Sequence, residues 1–225
     1  MNVVERHFPN ESEEYRNARS ALLDEEIRLR EQIARVAELR SDLPPGGAVK
    51  EDYEFEEIAG DGAIRKLRLS ELFEKDKDSL FLYGFMYGPG SENPCSMCSS
   101  LLDALNGNAA HVAERINVAV VAKSPIQRIV DHARTRGWDN LRMLSSQNNG
   151  YGIDYFAENE KGEQMPMANV FVRRNGGIRH FWGSEMLYVD VEGQPRHMDL
   201  MWPLWNVFDT TPEGRGTDWY PSLPG

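Results

Sequence analysis

Cys95 and Cys98 are the only cysteines in this 225-residue chain, and they stand three positions apart in Asn93-Pro94-Cys95-Ser96-Met97-Cys98. Two thiols at that spacing can pass electrons through a disulfide, share a metal ion, or lie inert in a core. Redox chemistry needs a thiolate, because the anion is the nucleophile and a free thiol with a pKa of about 8.5 is mostly protonated at neutral pH. A helix N-terminus favours the anion through unsatisfied N–H groups and the positive end of the dipole. Asn93 suits the N-cap and Pro94 the first helical position. That places Cys95 in the first turn as the attacking sulfur and Cys98, one turn further in, as the resolving one. Asn93 and Tyr87 are the nearest candidates for substrate contact.

The metal alternative needs further ligands, usually four in all for structural zinc. His111, His180 and His197 are available, but none sits at a short, ligand-like spacing from the thiols, so no metal and no cofactor is assigned. His197-Met198-Asp199 is a weaker candidate for a substrate or partner contact. No Gly-rich phosphate loop, Ser-His-Asp ordering or carboxylate pair stands out, which argues against a nucleotide enzyme or a hydrolase.

Several elements must position the thiols. Ser79 to Tyr87 is an almost continuous apolar and aromatic run, as expected of a central strand buried on both faces, and Gly88-Pro89-Gly90 ends it. The helix that follows carries Leu101, Leu102 and Leu105 on its buried face and is expected to stop near Gly107. Asn117 to Ala122 reads as a second buried strand. A helix opened by Ser124-Pro125 and closed by Gly137 comes next, then a strand at Leu141 to Leu144 and a polar loop from Ser145 to Glu163. Within that loop, Ser145 to Tyr155 is the expected lid or specificity element. Ala168 to Arg173 and Ile178 to Trp182 flank Asn175-Gly176-Gly177, a hairpin signal. Upstream, Ile64 to Leu69 reads as a short strand, and the acidic stretch Ser41 to Glu57 as a linker or peripheral strand.

Residues 11–40 are charge-rich and free of Gly and Pro, with Tyr15, Ala18, Leu22, Leu29, Ile33 and Val36 along one helical face. Such a helix ends at Leu43-Pro44-Pro45-Gly46-Gly47. It either lies on its own domain or serves as a dimerisation arm that makes a homodimer. The expected division is a helical extension at residues 1–47 and a main domain at residues 48–225.

Strand, thiol helix, strand, helix, strand and antiparallel hairpin together make a mixed α/β order. It is that of a thioredoxin-like three-layer α/β/α sandwich with a mixed sheet, whose final helix falls within Asp199 to Phe208. In thioredoxin-type enzymes a cis-proline faces the two cysteines just before the first hairpin strand and receives the substrate chain. Met165-Pro166-Met167 lies close to that place, and Pro166 is taken as a substrate-binding candidate.

The sequence resembles a bacterial family of unknown function within the thioredoxin-like superfamily, distantly similar to peroxiredoxins. The resemblance rests on Ala18 to Leu23, Phe85-Met86-Tyr87-Gly88-Pro89, Cys95-Ser96-Met97-Cys98-Ser99 with Asp103 and Gly107, and Ser124-Pro125-Ile126 with Arg136-Gly137-Trp138. Further stretches are Ser145-Ser146, Asp154-Tyr155, Val170-Phe171-Val172-Arg173 and Asp209 to Arg215. It implies the fold. The thioredoxin pattern Trp-Cys-Gly-Pro-Cys is absent, since Pro94 precedes the first thiol and Ser96-Met97 lie between the two. Peroxiredoxins carry Thr or Ser three residues before the peroxide-reducing cysteine; here Glu92 stands there, which weighs against direct peroxidase activity.

Net charge is −11 and the pI about 5.0. Nucleic acid and anionic membrane surfaces both call for clustered Lys and Arg, so neither is an expected partner. No run approaches the roughly 18 apolar residues of a membrane span, the N-terminus lacks the pattern of a secretory signal, and the expected setting is the cytoplasm. In a reducing compartment two cysteines are poorly explained as a permanent staple. The expected activity is thiol–disulfide exchange with a protein or small-molecule substrate. The alternatives are a non-enzymatic binding or dimerisation module on the same fold, or a thiol-dependent peroxidase.

Overall fold

A computed structural model describes residues 7–44, 46–189, 201–212 and 221–223. The chain divides into two compact units, Met1–Pro44 and Pro45–Gly225. The first is helix α1, Glu13–Ser41, capped by Ser12, whose Oγ accepts the Tyr15 N–H at 3.1 Å. Glu13 and Glu14 in its first turn and Arg40 in its last complement the helix dipole. At 1.5 Å per residue it is about 44 Å long.

The second unit is built on one seven-stranded sheet. Its strands are β1 Glu54–Ile58, β2 Ile64–Arg68, β3 Ser79–Gly84, β4 Asn117–Ala122, β5 Met143–Ser145, β6 Met167–Arg174 and β7 Gly177–Gly183. They lie in the order β2-β1-β5-β4-β3-β6-β7. β3, β4 and β5 run parallel, joined by helices α2, Ser96–Ala113, and α3, Ile126–Arg136. β6 and β7 form the antiparallel hairpin, with β6 paired directly to β3. The thioredoxin-like order expected from the sequence is therefore present, and β3 is a central strand. The acidic stretch ends in β1, which lies inside the sheet between β2 and β5 instead of at its margin.

Period-two alternation along β3 and β4 divides the core between the two faces of the sheet. Tyr83, Phe85, Val120 and Ala122 point to one side, where Leu101 and Leu102 of α2 and Ile129 and Ala133 of α3 meet them. Leu80, Leu82, Ala119 and Val121 point to the other, with Tyr53, Phe55, Tyr151 and Phe171. The second layer is thin: a 3-10 turn at Leu69–Leu72 and the short helix α4, Tyr151–Asp154. A last helix, α5, Pro203–Phe208, brings Trp202 and Trp205 onto the α2/α3 side. Pro203 occupies its first turn, where the missing N–H has no consequence.

Two helix boundaries differ from the sequence reading. α2 begins at Ser96 with Cys95 itself as N-cap, one position after Pro94. It also runs through Gly107 to Ala113, because Ala109 is fully buried against the sheet. A glycine in a helix costs about 1 kcal/mol relative to alanine, less than the burial gained on either side of it. The third parallel strand starts two residues later than expected, at Met143. The Asn175-Gly176 turn has φ of 53° and 77° at its two central residues, the type I′ geometry that such a pair favours.

α2 and α3 are tied together at the end remote from the thiols. Gly137 takes the left-handed conformation (φ 69°) that closes α3, and the Trp138 N–H reaches back to Ala133 O at 2.9 Å. The Trp138 indole then donates to Asp103 Oδ1 of α2 at 2.8 Å, and Arg136 pairs with the same carboxylate.

Candidate active site

β3 delivers the chain to the site. Phe85 still donates to Val121 O of β4 at 2.8 Å, and the loop that follows returns so that the Cys95 N–H donates to Met86 O at 3.1 Å. Cys95 is thereby fixed beside the end of the central strand with φ −60° and ψ 123°, extended as an N-cap requires. Its Sγ accepts the Cys98 N–H at 3.4 Å, and its carbonyl accepts from both the Ser99 N–H and Ser99 Oγ at 3.0 Å. Sequence reasoning gave the cap to Asn93, a residue type suited to it, with Pro94 as the first helical residue. The effect on the sulfur is greater than a first-turn position would give, since Sγ takes the place of the capping oxygen.

Both cysteines are free thiols, Cys95 partly buried and Cys98 only 3% exposed. The Cys95 pKa falls to about 6, chiefly because the Cys98 side chain hydrogen-bonds to its anion. Burial works against that shift, and the N–H groups of Cys98 and Met97 assist it. Cys98 moves well upward, held by its bond to Cys95, by burial and by the neighbouring negative charge. The arrangement stores one proton between two sulfurs, on the inner one. The buried Tyr83 of β3 also hydrogen-bonds to Cys98, and this contact favours the Cys98 anion. Burial keeps the phenol itself protonated.

Cys95 opens onto a cleft of about 500 Å3. Gly88–Ser91 and Asn93–Cys95 line one wall and Gly162–Gln164 the other, and Met86 also lines the cleft. The first wall is braced by Arg128 of α3. Its guanidinium donates to the carbonyls of Gly88 and Pro89, each at 3.3 Å, of Glu92 at 3.0 Å, and of Ser91. It also stacks over the Tyr87 ring at 4.3 Å.

The sequence candidates separate accordingly. Asn93 lines the cleft with Cys95. Tyr87 is buried under Arg128, in contact with Phe85 and His132, and supports the wall from behind. Pro166 immediately precedes β6, but its peptide bond is trans, since the described residues contain no cis bond. The part of that segment that lines the cleft with Cys95 is Gly162–Gln164. The expected lid at Ser145 to Tyr155 is instead packed structure. Ser145 and Ser146 bond to the carbonyls of Ser124 and Ala122, and Tyr151 is fully buried on the opposite side of the sheet.

His111 is exposed beside Glu114, and His180 bonds to Asn169 at 2.8 Å while stacking on Tyr155. His197 lies outside the described residues. Among the described residues no three His, Cys, Asp or Glu side chains cluster in a way that could hold a metal ion. Sequence reasoning missed the roles of Tyr83 and Arg128. Tyr83 was visible only as an aromatic in a strand, and Arg128 only as one more cation on a polar helix face.

Residues 5–223 match the model of a bacterial protein family of unknown function, DUF899, and the chain belongs to that family. No curated protein matches it. Among solved structures, thioredoxin peroxidase I of Plasmodium yoelii is 15% identical, with 80% of this chain and 100% of that one covered and a TM-score of 0.47. Peroxidoxin BcpB of Mycobacterium tuberculosis is 18% identical over 71% of this chain and 94% of its own, with a TM-score of 0.43. The exposed lipoprotein thioredoxin of Streptococcus pneumoniae is 15% identical over 58% and 87%, with a TM-score of 0.40.

Proposed function

We propose that this member of the family is a thiol–disulfide oxidoreductase in which Cys95 attacks and Cys98 resolves. The observation that carries the reading is the Cys95 sulfur at the head of α2, accepting the Cys98 N–H and held at a pKa of about 6. At neutral pH this sulfur is mostly thiolate while remaining open to the cleft. It attacks one sulfur of a substrate disulfide; that bond breaks as the mixed disulfide forms, and the departing thiolate takes the electron pair and then a proton. Once Cys95 is bonded to substrate it no longer accepts from Cys98. Cys98 then loses its proton, attacks the Cys95 sulfur and expels the second substrate thiolate. Two electrons pass from protein to substrate, and an external dithiol is needed to restore the reduced pair.

The substrate is a protein or small-molecule disulfide, and the setting the cytoplasm; no helix among the described residues is long and apolar enough to cross a membrane. The test is disulfide reduction by wild type, Cys95→Ser and Cys98→Ser with a dithiol reductant. Activity lost in both variants, with a trapped mixed disulfide only in Cys98→Ser, supports this division of labour; activity retained without Cys95 refutes it.

With this reading goes the proposal that α1 pairs with a second copy of the chain. Tyr15, Leu22 and Leu29 recur every seven residues and are 50%, 52% and 61% exposed, the repeat that two helices bury by winding together. Sedimentation of the full chain and of Leu22→Glu/Leu29→Glu tests it: a dimer reduced to monomer is expected, and a monomeric wild type excludes it.

A further inference from the structure

The cleft has a charge preference written into its second wall. Apart from the Cys95 thiolate, Glu163 is the one charged side chain among the described residues that line it; the rest are Gly, Pro, Ser, Asn, Gln and Met. The Glu163 carboxylate is held in place, with Oε2 accepting the Asn159 Nδ2 amide at 2.6 Å. Asn159 Oδ1 in turn accepts the backbone N–H groups of Lys161 and Glu163, each at 3.0 Å. The Asn159 N–H bonds to Glu163 O, and Gly162, at φ 80°, makes the turn. A bridge between Glu158 and Gln164 closes the segment at its base.

The neighbouring cations lie outside the cleft lining. Arg128 is engaged by four loop carbonyls behind the opposite wall, and neither it nor Lys161 lines the cleft. An incoming disulfide therefore meets two negative charges, one on the attacking sulfur and one on Glu163, in a protein of net charge −11.

We infer that the substrates of this site are disulfides carrying positive charge beside their sulfurs, with anionic disulfides excluded, and that Glu163 sets the preference. The inference rests on the proposed exchange chemistry and specifies its substrate class. An ammonium group a few carbons from the attacked sulfur shares a cleft of about 500 Å3 with the carboxylate and is attracted by it, while a carboxylate in the same place is repelled. Fixed charges that share a cleft change encounter and exchange rates severalfold or more, and salt screens them with a Debye length of about 10 Å at 0.1 M. The chemistry is unchanged: the Cys95 thiolate displaces one substrate thiolate, Cys98 the other, and the reduced pair supplies both electrons.

The test uses three disulfides of similar size: cystamine (cationic), bis(2-hydroxyethyl) disulfide (neutral) and 3,3′-dithiodipropionate (anionic). The reduced protein is mixed with each at low ionic strength, and loss of the Cys95 thiol is followed by mass. Each rate is divided by that of 2-mercaptoethanol with the same disulfide, which removes differences in leaving group. After that correction, cystamine should react about tenfold or more faster than dithiodipropionate. Glu163→Gln should shrink the ratio, Glu163→Lys should invert it, and salt should narrow it for wild type. Equal corrected rates in wild type, or a ratio that Glu163→Gln and Glu163→Lys leave unchanged, overturn the inference while leaving thiol exchange standing. A Cys95 that outpaces 2-mercaptoethanol with none of the three overturns the exchange reading itself, and the substrate class with it.

Discussion

The Cys98 backbone N–H donates to the Cys95 sulfur at 3.4 Å, while the Cys98 side chain, 3% exposed, hydrogen-bonds to the same atom. One residue thus stabilises the other's anion twice, once through the backbone as part of a helix cap and once through the thiol. The consequence is an asymmetric pair, with the outer sulfur ionised and the inner one protonated.

Alkylation of Cys95 by iodoacetamide should rise through a midpoint near pH 6, well below the value of about 8.5 for a free thiol. Cys98→Ala removes the largest cause of the shift and should move the midpoint upward by a unit or more, read from the pH dependence of the second-order rate. The linked stability follows the same sign. A depressed pKa contributes stability that is present above the unfolded value and is lost as pH falls through about 6. The raised pKa of Cys98 acts oppositely, with stability lost as pH climbs past its ordinary value. Cys95→Ala should therefore flatten the increase in melting temperature between pH 6 and 9.

Tyr83→Phe should separate the two chemical steps. The phenol favours the Cys98 anion, so its removal leaves Cys98 harder to ionise and slows resolution of the mixed disulfide while the first attack proceeds. A severalfold longer lifetime of that intermediate, seen by rapid quench and mass, is expected. The stability cost of the lost hydrogen bond should be about 1 kcal/mol.

Arg128→Gln should loosen the Gly88–Glu92 wall by removing a brace to four carbonyls. Faster amide hydrogen exchange in residues 88–95 and weaker substrate capture, with a KM increase larger than any fall in kcat, are expected. Arg128→Lys should restore little, because a single ammonium cannot reproduce a planar fork of donors.

Gly107→Ala should stabilise the protein by about 0.5–1 kcal/mol in chemical denaturation. The residue lies in mid-helix, and a Cβ there meets nothing within 4 Å.

Much of this was legible in the sequence because it is periodic or local. The run at Ser79–Tyr87, the α3 face and the Asn175-Gly176 turn each carry their own signal. So does the order of strands around the thiols, which gave the sheet its sense. The site was legible only as a pair of cysteines. Asn93-Pro94 imitates a cap followed by a first helical residue, and nothing local indicates that the cap is a sulfur two positions after Asn93. Tyr83 and Arg128 reach the site across 15 and 36 residues of chain, through the β3–α2 and α3–loop packing, and no spacing rule connects them to it. The Gly162–Gln164 wall was hidden for the same reason, its place being set by the β3–β6 register that pairs Gly84 with Met167.

The central claim is that Cys95 and Cys98 cycle between dithiol and disulfide. Equilibrating the full-length protein across a series of reduced and oxidised dithiothreitol ratios, then blocking free thiols and measuring intact mass, tests it most directly. The account predicts a single reversible transition in which both thiols disappear together, and its loss in Cys95→Ser and in Cys98→Ser. Thiols that stay reduced across the whole series, or that oxidise without returning, would contradict it.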